Sequence, residues 1–411
     1  MSEHVSPRPS DAPGIRRPRV SLQVAGLFAG IGGIEQGFHD CGHETELLCE
    51  LDDAARAVLA ERFPNVRRVV KDVRNVSRAD VANADLISAG FPCQDLSQAG
   101  RTAGIAGEQS GLVNEVFRLI EDPASAPRWL LLENVPFMLQ LDRGRAMEYL
   151  TQELGKMGYR WAYRVVDTRA FGLPQRRNRV ILLASRTEDP RPVLFEEDAG
   201  HVEHAADSES VFGFYWTEGR RGLGWAVDAV PTLKGGSGLG IASPPAIWFP
   251  GEELPLRTPD IQDAERLQGF DRGWTAPADE LGRRGIRWKL IGNAVSVPVA
   301  GWVGERLAEN RGQWEDGDLR ERPVGRPWPF AAWGEGEEAF AVPLSAWPRH
   351  EEFQRLGDFL RHETAPLSCR AARGFLDRAR HADTRLNFAH GFLEAVEQHV
   401  AAMSPAALFA A

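Results

Sequence analysis

The chain has 411 residues, 43% of them hydrophobic, with a formal net charge of −10 at pH 7 and four cysteines. The length suits two or three domains, and no stretch approaches the roughly 18 uncharged apolar residues of a membrane span. The cysteines form neither a CxxC pair nor a dense, even pattern, so we expect reduced thiols and no metal site. The acidic balance argues against broad nucleic-acid affinity, because phosphate neutralisation by Lys and Arg supplies most non-specific binding.

The first 19 residues, MSEHVSPRPSDAPGIRRPR, are polar and lack the apolar run of a signal peptide. We therefore expect a disordered leader over residues 1–19 and a cytoplasmic protein that makes no membrane contact.

From Val20 onward, short apolar runs alternate with helical patterns. VSLQVAGLFAG, ELLCELD, ADLISAGFP, RWLLLENV and RNRVILLAS suit buried strands, while DDAARAVLAERF and GLVNEVFRLIED are typical of helices. This alternation predicts an α/β domain over residues 20–187, with a largely parallel sheet that is covered by helices on both faces.

The pattern changes near Glu188, where Pro-rich, acidic and then glycine-rich sequence replaces the alternation. We interpret residues 188–255 as a smaller inserted domain and residues 256–310 as a helical segment that returns to the first domain. Residues 311–411 are a C-terminal extension that ends in patterns such as EEFQRLGDFLRH and HGFLEAVEQHV, which predict a mainly helical structure.

A glycine-rich turn follows the first predicted strand in LFAGIGGIEQGF, residues 27–38. Its glycines allow a ligand to approach bare backbone amides, but Glu35 occupies the third glycine position of the dinucleotide fingerprint. A carboxylate there disfavours a pyrophosphate and suits an uncharged or cationic ligand. Glu50 and Asp72, which end the next two apolar runs, suit ribose hydroxyls and an adenine amine. The set favours S-adenosylmethionine over NAD, although each feature alone also fits a structural turn or a surface acid.

GFPCQDLSQAG, residues 90–100, places Cys93 behind a proline and between glycines. It is either a tight turn around a small buried thiol or a nucleophile at a hinge, and the second reading needs surroundings that favour the thiolate. Glu133, directly after the apolar run WLLL, offers a partly desolvated carboxyl that donates a proton to a ring nitrogen, or else caps a helix. QRRNR, residues 175–179, offers Arg177 and Arg179 on one side, either for a base and its phosphate or as a solvated turn.

Taken together and in this order, these residues resemble the cytosine-5 DNA methyltransferase family. The matching stretches are FAGIGG (28–33), Glu50, Asp72, GFPCQ (90–94), ENV (133–135), QRRNR (175–179), TPDIQDAERLQGF (258–270) and IGNAVSVPV (291–299). The resemblance implies a Rossmann-like, S-adenosylmethionine-dependent methyltransferase fold, with residues 188–255 as the target-recognition domain.

The resemblance also implies residue roles. Cys93 would add to carbon 6 of a flipped cytosine, Glu133 would hold the ring, and Arg177 and Arg179 would contact the base and the surroundings of the cysteine. The implied cofactor residues are Phe28, Ala29, Gly30, Gly32, Gly33, Ile34, Glu50, Leu51, Asp72, Val73, Pro92, Leu112, Asn293 and Val295. The expected DNA contacts are Gln94, Ser97, Gln175, Thr232, Leu233, Gly235 and Gly236. The loop from Gln94 to Gly111 is expected to close over the DNA.

The expected partner is double-stranded DNA, bound by a monomer that is associated with the nucleoid. The extension is either a packing element or a module for additional DNA or for other restriction or defence proteins. Two further functions remain open: a tRNA cytosine-5 methyltransferase with the same residues, and a DNA-binding regulator without catalysis. Intact Cys93, Glu133 and Asn293 argue against the regulator.

Overall fold

The computed structural model describes residues 20–92, 111–202, 204–220, 224–235, 242–281, 285–309, 314, 320–321, 327–382 and 388–404. The predicted leader lies outside these residues, as do Cys93, Gln94, Ser97 and Gly236 and the predicted closing loop as far as residue 110. Within the described ranges, no helix combines the length and the apolar character needed to cross a membrane.

Strands and helices alternate through the first half of the chain. The strands are β1 (Gln23–Leu27), β2 (Glu44–Cys49), β3 (Arg68–Val70), β4 (Leu86–Ala89), β5 (Trp129–Asn134), β6 (Arg160–Asp167), β7 (Gln175–Arg176), β8 (Asn178–Ser185), β9 (Phe212–Phe214), β10 (Ala226–Val227), β11 (Val230–Pro231), β12 (Ala246–Trp248), β13 (Leu256–Thr258), β14 (Arg320–Glu321), β15 (Ala331–Glu335), β16 (Glu338–Ala341) and β17 (Ala365–Pro366).

The helices are α1 (Gly33–Asp40), α2 (Asp53–Arg62), α3 (Leu112–Ile120), α4 (Arg145–Lys156), α5 (Arg191–Phe195), α6 (Ile261–Arg266), α7 (Ile286–Asn293), α8 (Val297–Ala308), α9 (Leu356–Phe359), α10 (Cys369–Arg380) and α11 (Phe392–Ala402). Short 3₁₀ turns follow several strands, among them Pro136–Leu139 after β5 and Thr168–Phe171 after β6.

The main sheet has the strand order β14-β16-β15-β6-β8-β5-β4-β1-β2-β3. Five neighbouring strands of this sheet, β5, β4, β1, β2 and β3, run parallel, so their carboxyl ends meet at one edge. The remaining strands pair antiparallel, which makes the sheet mixed. Because β8 runs antiparallel to β5, the start of β8 lies beside the end of β5, and Val180 pairs with Asn134. The arginines around the start of β8 therefore reach the same edge as Glu133.

Hydrophobic side chains alternate between the two faces of this sheet, as a sheet covered on both sides requires. One face packs against α3 and α4, and the other against α1, α5 and α8. Helix α8 lies so close to α1 that a Cβ on Gly37 would come within 2.5 Å of the Val297 carbonyl oxygen. The segment after residue 286 thus returns to the turn that follows β1.

A second sheet, β10-β9-β12-β13-β17, is antiparallel throughout. It extends beyond the predicted inserted domain, because β13 begins at Leu256 and β17 comes from the extension. The extension also places β15 against β6 in the main sheet. The extension was predicted to be mainly helical, but it contributes four strands within the described residues. Local pattern does not report strands that form by pairing with distant segments.

Helices α10 and α11 cover one face of the second sheet with an aromatic cluster. The Phe392 side chain is fully buried, and its ring centroid lies 5.0 Å from that of Phe214, 4.9 Å from Trp225 and 5.3 Å from Trp248. The extension therefore supplies part of the hydrophobic core of the second sheet.

Phe392→Ala is expected to lower the free energy of unfolding by about 3–5 kcal/mol, because it removes a large buried ring and leaves a cavity. Phe330→Ala is the control, because that ring is 59% exposed and the substitution should cost less than about 0.5 kcal/mol. Urea unfolding followed by tryptophan fluorescence measures both. Equal stability of the two variants would contradict a packed extension.

Candidate active site

The turn after β1 is built from left-handed backbone. Phe28, Gly30 and Gly32 have φ angles of +55°, +57° and +83°. A Cβ on Gly32 would come within 2.3 Å of the Phe63 ring, so the fold requires glycine there for both conformation and space. A Cβ on Gly30 would meet nothing within 4 Å, so the backbone at Gly30 borders open space.

Glu50 holds this turn from the end of β2. Its Oε2 accepts a hydrogen bond from the Gly30 amide and its Oε1 accepts one from the Asp52 amide, both at 2.8 Å. Each carboxylate oxygen has a further lone pair, and the side chain borders a cavity. Glu50 is therefore a fixed acceptor beside the glycine turn.

Asp72 stands at the end of the next segment. It accepts a hydrogen bond from the Arg74 amide and pairs with the Arg74 guanidinium at 2.6 Å. Hydrogen bonding to Arg74 lowers the pKa of Asp72 below its ordinary value, so this carboxylate is charged at neutral pH.

A first cavity of about 700 Å³ lies over this edge of the main sheet. Nine of the predicted cofactor residues line it: Phe28, Gly30, Glu50, Leu51, Asp72, Val73, Pro92, Leu112 and Asn293. They come from six separate stretches of the chain, so the structure brings together what the sequence presents as distant.

The other five predicted cofactor residues do not line this cavity. Gly32 packs on Phe63, and a Cβ on Gly33 would come within 2.3 Å of the Val295 carbonyl oxygen. The Ala29 amide donates to the Cys49 carbonyl at 3.0 Å, and Ile34 is buried in the core. These residues pack on the side of the turn that faces away from the cavity.

Glu133 and Arg179 form the ion pair of the site. The Arg179 Nε lies 2.9 Å from Glu133 Oε1, the side chains of both residues are 11% exposed, and both line the first cavity. Burial raises the pKa of Glu133 above its ordinary value, and the charges of Arg179 and Arg177 oppose that rise. The carboxyl group therefore keeps its proton to a higher pH than an exposed glutamate does.

The segment that precedes Cys93 lies beside this pair. A Cβ on Gly90 would be 3.4 Å from Glu133 Oε2, and the Asn134 side-chain amide donates to the Phe91 carbonyl at 3.0 Å. Pro92 lines the first cavity. Cys93 is the next residue in the chain and lies outside the described residues.

Arg177, expected to contact the base, and Gln175, expected to contact DNA, are both buried. Arg177 is 1% exposed and donates hydrogen bonds to the carbonyls of Leu233, Gly292 and Ala294. Gln175 is fully buried; its side-chain amide donates to the Leu267 carbonyl, and its oxygen accepts from the Leu233 amide. Both side chains satisfy buried backbone groups, which cost free energy when they are left unpaired.

A second cavity of about 650 Å³ adjoins the first, and Val135, Arg179 and Gly292 line both. The predicted DNA contacts Thr232, Leu233 and Gly235 line the second cavity. Its cationic side chains are Arg169, Arg176, Arg179 and Lys234.

Glu35 lies away from both cavities. It is 1% exposed and accepts a hydrogen bond from the Ser88 hydroxyl at 3.1 Å, and burial raises its pKa to about 7. Its carboxyl group points into the sheet, because α1 presents it to Gly26 on β1. The expected role beside a cofactor is therefore not supported.

Sequence reasoning missed an ion pair at the first cavity. Lys289 Nζ lies 2.6 Å from Asp52 Oδ2, and both residues line the cavity. No local signal marks this pair, because the two residues are 237 positions apart and each looks like a surface charge.

The comparisons with known proteins agree with this arrangement. A family model for the C-5 cytosine-specific DNA methylases matches residues 22–218. The chain is 50% identical over 389 residues to the type II methyltransferase M2.BsuMI of Bacillus subtilis (strain 168), covering 92% of this chain and 98% of that protein. The chain belongs to the C-5 cytosine-specific DNA methylases.

A second methylase relative is more distant. The type II methyltransferase M.Bsp6I of Bacillus sp. (strain RFL6) is 30% identical over 325 residues, which cover 70% of this chain and 98% of that protein. Among solved structures, the Entamoeba histolytica methyltransferase EhMeth matches with a TM-score of 0.50 and 17% identity, over 70% of this chain and 98% of that chain. This likeness concerns the methyltransferase fold alone.

Proposed function

We propose that this methylase transfers a methyl group from S-adenosylmethionine to carbon 5 of a cytosine in duplex DNA, as the modification enzyme of a restriction-modification system. The observation that carries the proposal is the ion pair of Glu133 and Arg179, which lines the same cavity as Gly30, Glu50 and Asp72. The carboxyl group proposed to hold the base and the acceptors proposed for the adenosine therefore line the same cavity.

The residues around the glycine turn fit S-adenosylmethionine better than a dinucleotide. Glu50 and Asp72 offer acceptors for ribose hydroxyls and an adenine amine, and Asp52 adds a further carboxylate. Carboxylates at this turn repel a pyrophosphate, whereas they tolerate a sulfonium. The cavity volume is within the range of small-molecule sites. When bound, S-adenosylmethionine supplies an electrophilic methyl group.

Glu50→Ala is expected to raise the dissociation constant for S-adenosylmethionine about tenfold or more, because it removes the ribose acceptor and the anchor of the Gly30 amide. Isothermal titration calorimetry measures the change. Glu44→Ala, an exposed glutamate at the start of β2, is the control and should bind as the wild type does. Unchanged affinity in Glu50→Ala would contradict the position proposed for the ribose.

The chain's own residues carry the chemistry of the base. The Cys93 thiolate would add to carbon 6 of the cytosine, and the electron pair of the 5,6 double bond would move to carbon 5. Carbon 5 would then take the methyl group as the methyl–sulfur bond of the sulfonium breaks, which leaves a neutral thioether. Glu133 holds the ring nitrogen and offsets the charge that develops there, while Arg179 fixes the carboxyl group. A base then removes the proton on carbon 5, the 5,6 double bond re-forms, and the Cys93 sulfur leaves.

DNA and RNA substrates are separated by one assay. Purified protein is incubated with methyl-labelled S-adenosylmethionine and either duplex DNA or total tRNA, and the product bases are then resolved. The proposal expects 5-methylcytosine in DNA at far higher yield than in tRNA. Bisulfite sequencing of the DNA product identifies the modified cytosine and its sequence context. Label in tRNA alone would replace the DNA proposal with the RNA alternative.

A further inference from the structure

Phe137 is an exposed aromatic side chain at the rim of the proposed active site. It lies in the turn Pro136–Leu139, directly after the β5 strand that carries Glu133, and it is 61% exposed. Among the described residues, the other large aromatic side chain with comparable exposure is Phe330, and only Phe137 of the two lines either cavity.

The backbone holds Phe137 in a fixed position. The Met138 amide donates to the Val135 carbonyl at 3.0 Å, and the Gln140 amide donates to the Phe137 carbonyl at 3.1 Å. Met138 and Leu139, which follow it, are 2% and 3% exposed and anchor the turn in the core. The ring therefore projects from a rigid turn. Covering an exposed apolar ring with a ligand removes apolar surface from water, which lowers the free energy of the complex.

The charge of the second cavity indicates the kind of ligand. Four cationic side chains and one carboxylate, Asp167, line it, although the whole chain carries −10. Three of these cations are ion-paired: Arg169 with Asp167, Arg179 with Glu133 and Lys234 with Glu218. The Arg176 side chain is exposed, and Gly235 lines the same cavity. Cations for phosphates next to an aromatic face for a base are the combination that nucleic-acid sites use.

The position of the ring specifies what it contacts. The second cavity shares Val135, Arg179 and Gly292 with the cavity that Glu133 lines, so the space beside Phe137 adjoins the space beside Glu133. A base that leaves the duplex loses its stacking partners, and an aromatic side chain that stacks on the remaining bases offsets that loss.

We propose that Phe137 is a positioning residue that stacks on the base pair next to the target cytosine and stabilises the duplex with the cytosine flipped out. The inference rests on the proposed function, because it requires a base in DNA as the substrate. Phe137 acts through the position of the base and takes no part in bond making.

The test uses a duplex that carries the cytosine identified by sequencing. One form is fully paired, and in the other the cytosine faces an adenine, which lowers the cost of extrusion. Single-turnover methyl transfer is measured for the wild type, Phe137→Ala, Phe137→Leu and Phe137→Trp. Phe137→Leu keeps an apolar side chain without an aromatic face, Phe137→Trp keeps the aromatic face, and Phe330→Ala is the control away from the site.

On the paired duplex, Phe137→Ala and Phe137→Leu are expected to slow methyl transfer about tenfold or more, while Phe137→Trp stays near the wild type. On the mismatched duplex, all variants are expected to lie within about threefold of the wild type. The affinity for S-adenosylmethionine stays unchanged. Equal defects on both duplexes, or none on the paired duplex, would overturn the inference, and weakened cofactor binding would assign Phe137 a structural role instead. If the wild type methylates no DNA, the proposed function itself fails, and the inference fails with it.

Discussion

Replacing Glu133 with Gln is expected to lower the rate of methyl transfer by a factor of about 10²–10⁴, while the affinity for S-adenosylmethionine stays within about twofold. The glutamine keeps the size and one hydrogen-bond acceptor of the side chain but cannot give a proton to the ring. Because burial raises the pKa of Glu133, part of its population is protonated at a higher pH than an exposed glutamate would allow. Single-turnover kinetics and calorimetry separate the two effects.

Glu337→Gln is the matched control for this substitution. Glu337 is exposed in the turn between β15 and β16, on an outer part of the main sheet, so the rate should equal that of the wild type. If a Glu133→Gln variant transfers methyl groups at the normal rate but binds the cofactor weakly, Glu133 contacts the cofactor and not the base.

Substitutions of the neighbouring residues Arg176 and Arg177 are expected to have different effects, on DNA affinity for Arg176 and on stability for Arg177. Arg177→Ala removes a buried guanidinium together with its hydrogen bonds to the carbonyls of Leu233, Gly292 and Ala294, so it should lower the free energy of unfolding by about 3–5 kcal/mol. Arg176→Ala removes an exposed side chain and should change stability by less than about 0.5 kcal/mol.

The DNA affinity of Arg176→Ala should fall, and the slope of log K against log salt should become shallower by about 1. Fluorescence anisotropy with labelled duplex at several salt concentrations measures both quantities, and urea unfolding measures stability. A stable Arg177→Ala variant that loses only DNA affinity would restore the role that the sequence first suggested for Arg177.

The contrast between these arginines shows where sequence reasoning reaches its limit. Glu50 and Asp72 follow the ends of β2 and β3, and Glu133 lies at the end of β5. Because these strands are parallel, their carboxyl ends meet at one edge of the sheet, as predicted. The residues 175–179 were expected to place Arg177 and Arg179 on one side. Instead, Arg177 lies between two strands, β7 and β8. Arg179 faces Glu133, whereas the Arg177 side chain points towards the carbonyls of distant segments.

Other features depend on long-range pairing and so leave no local pattern. The Asp52–Lys289 pair joins positions 237 residues apart, and β15 and β17 acquire their roles only by pairing with β6 and β13. Glu35 was misplaced for a related reason. Its position in the glycine fingerprint suggests contact with a ligand, but the helix direction turns its carboxyl group towards Gly26 and Ser88.

Attack of Cys93 on cytosine is tested by covalent trapping. A duplex that contains the target sequence with 5-fluorocytosine is incubated with the protein and S-adenosylmethionine, because fluorine on carbon 5 cannot leave as a proton does. We expect a denaturation-resistant protein–DNA complex that needs S-adenosylmethionine, forms with the wild type and with Cys41→Ser, and is absent with Cys93→Ser. The same complex in Cys93→Ser, or none in the wild type, would contradict attack by Cys93.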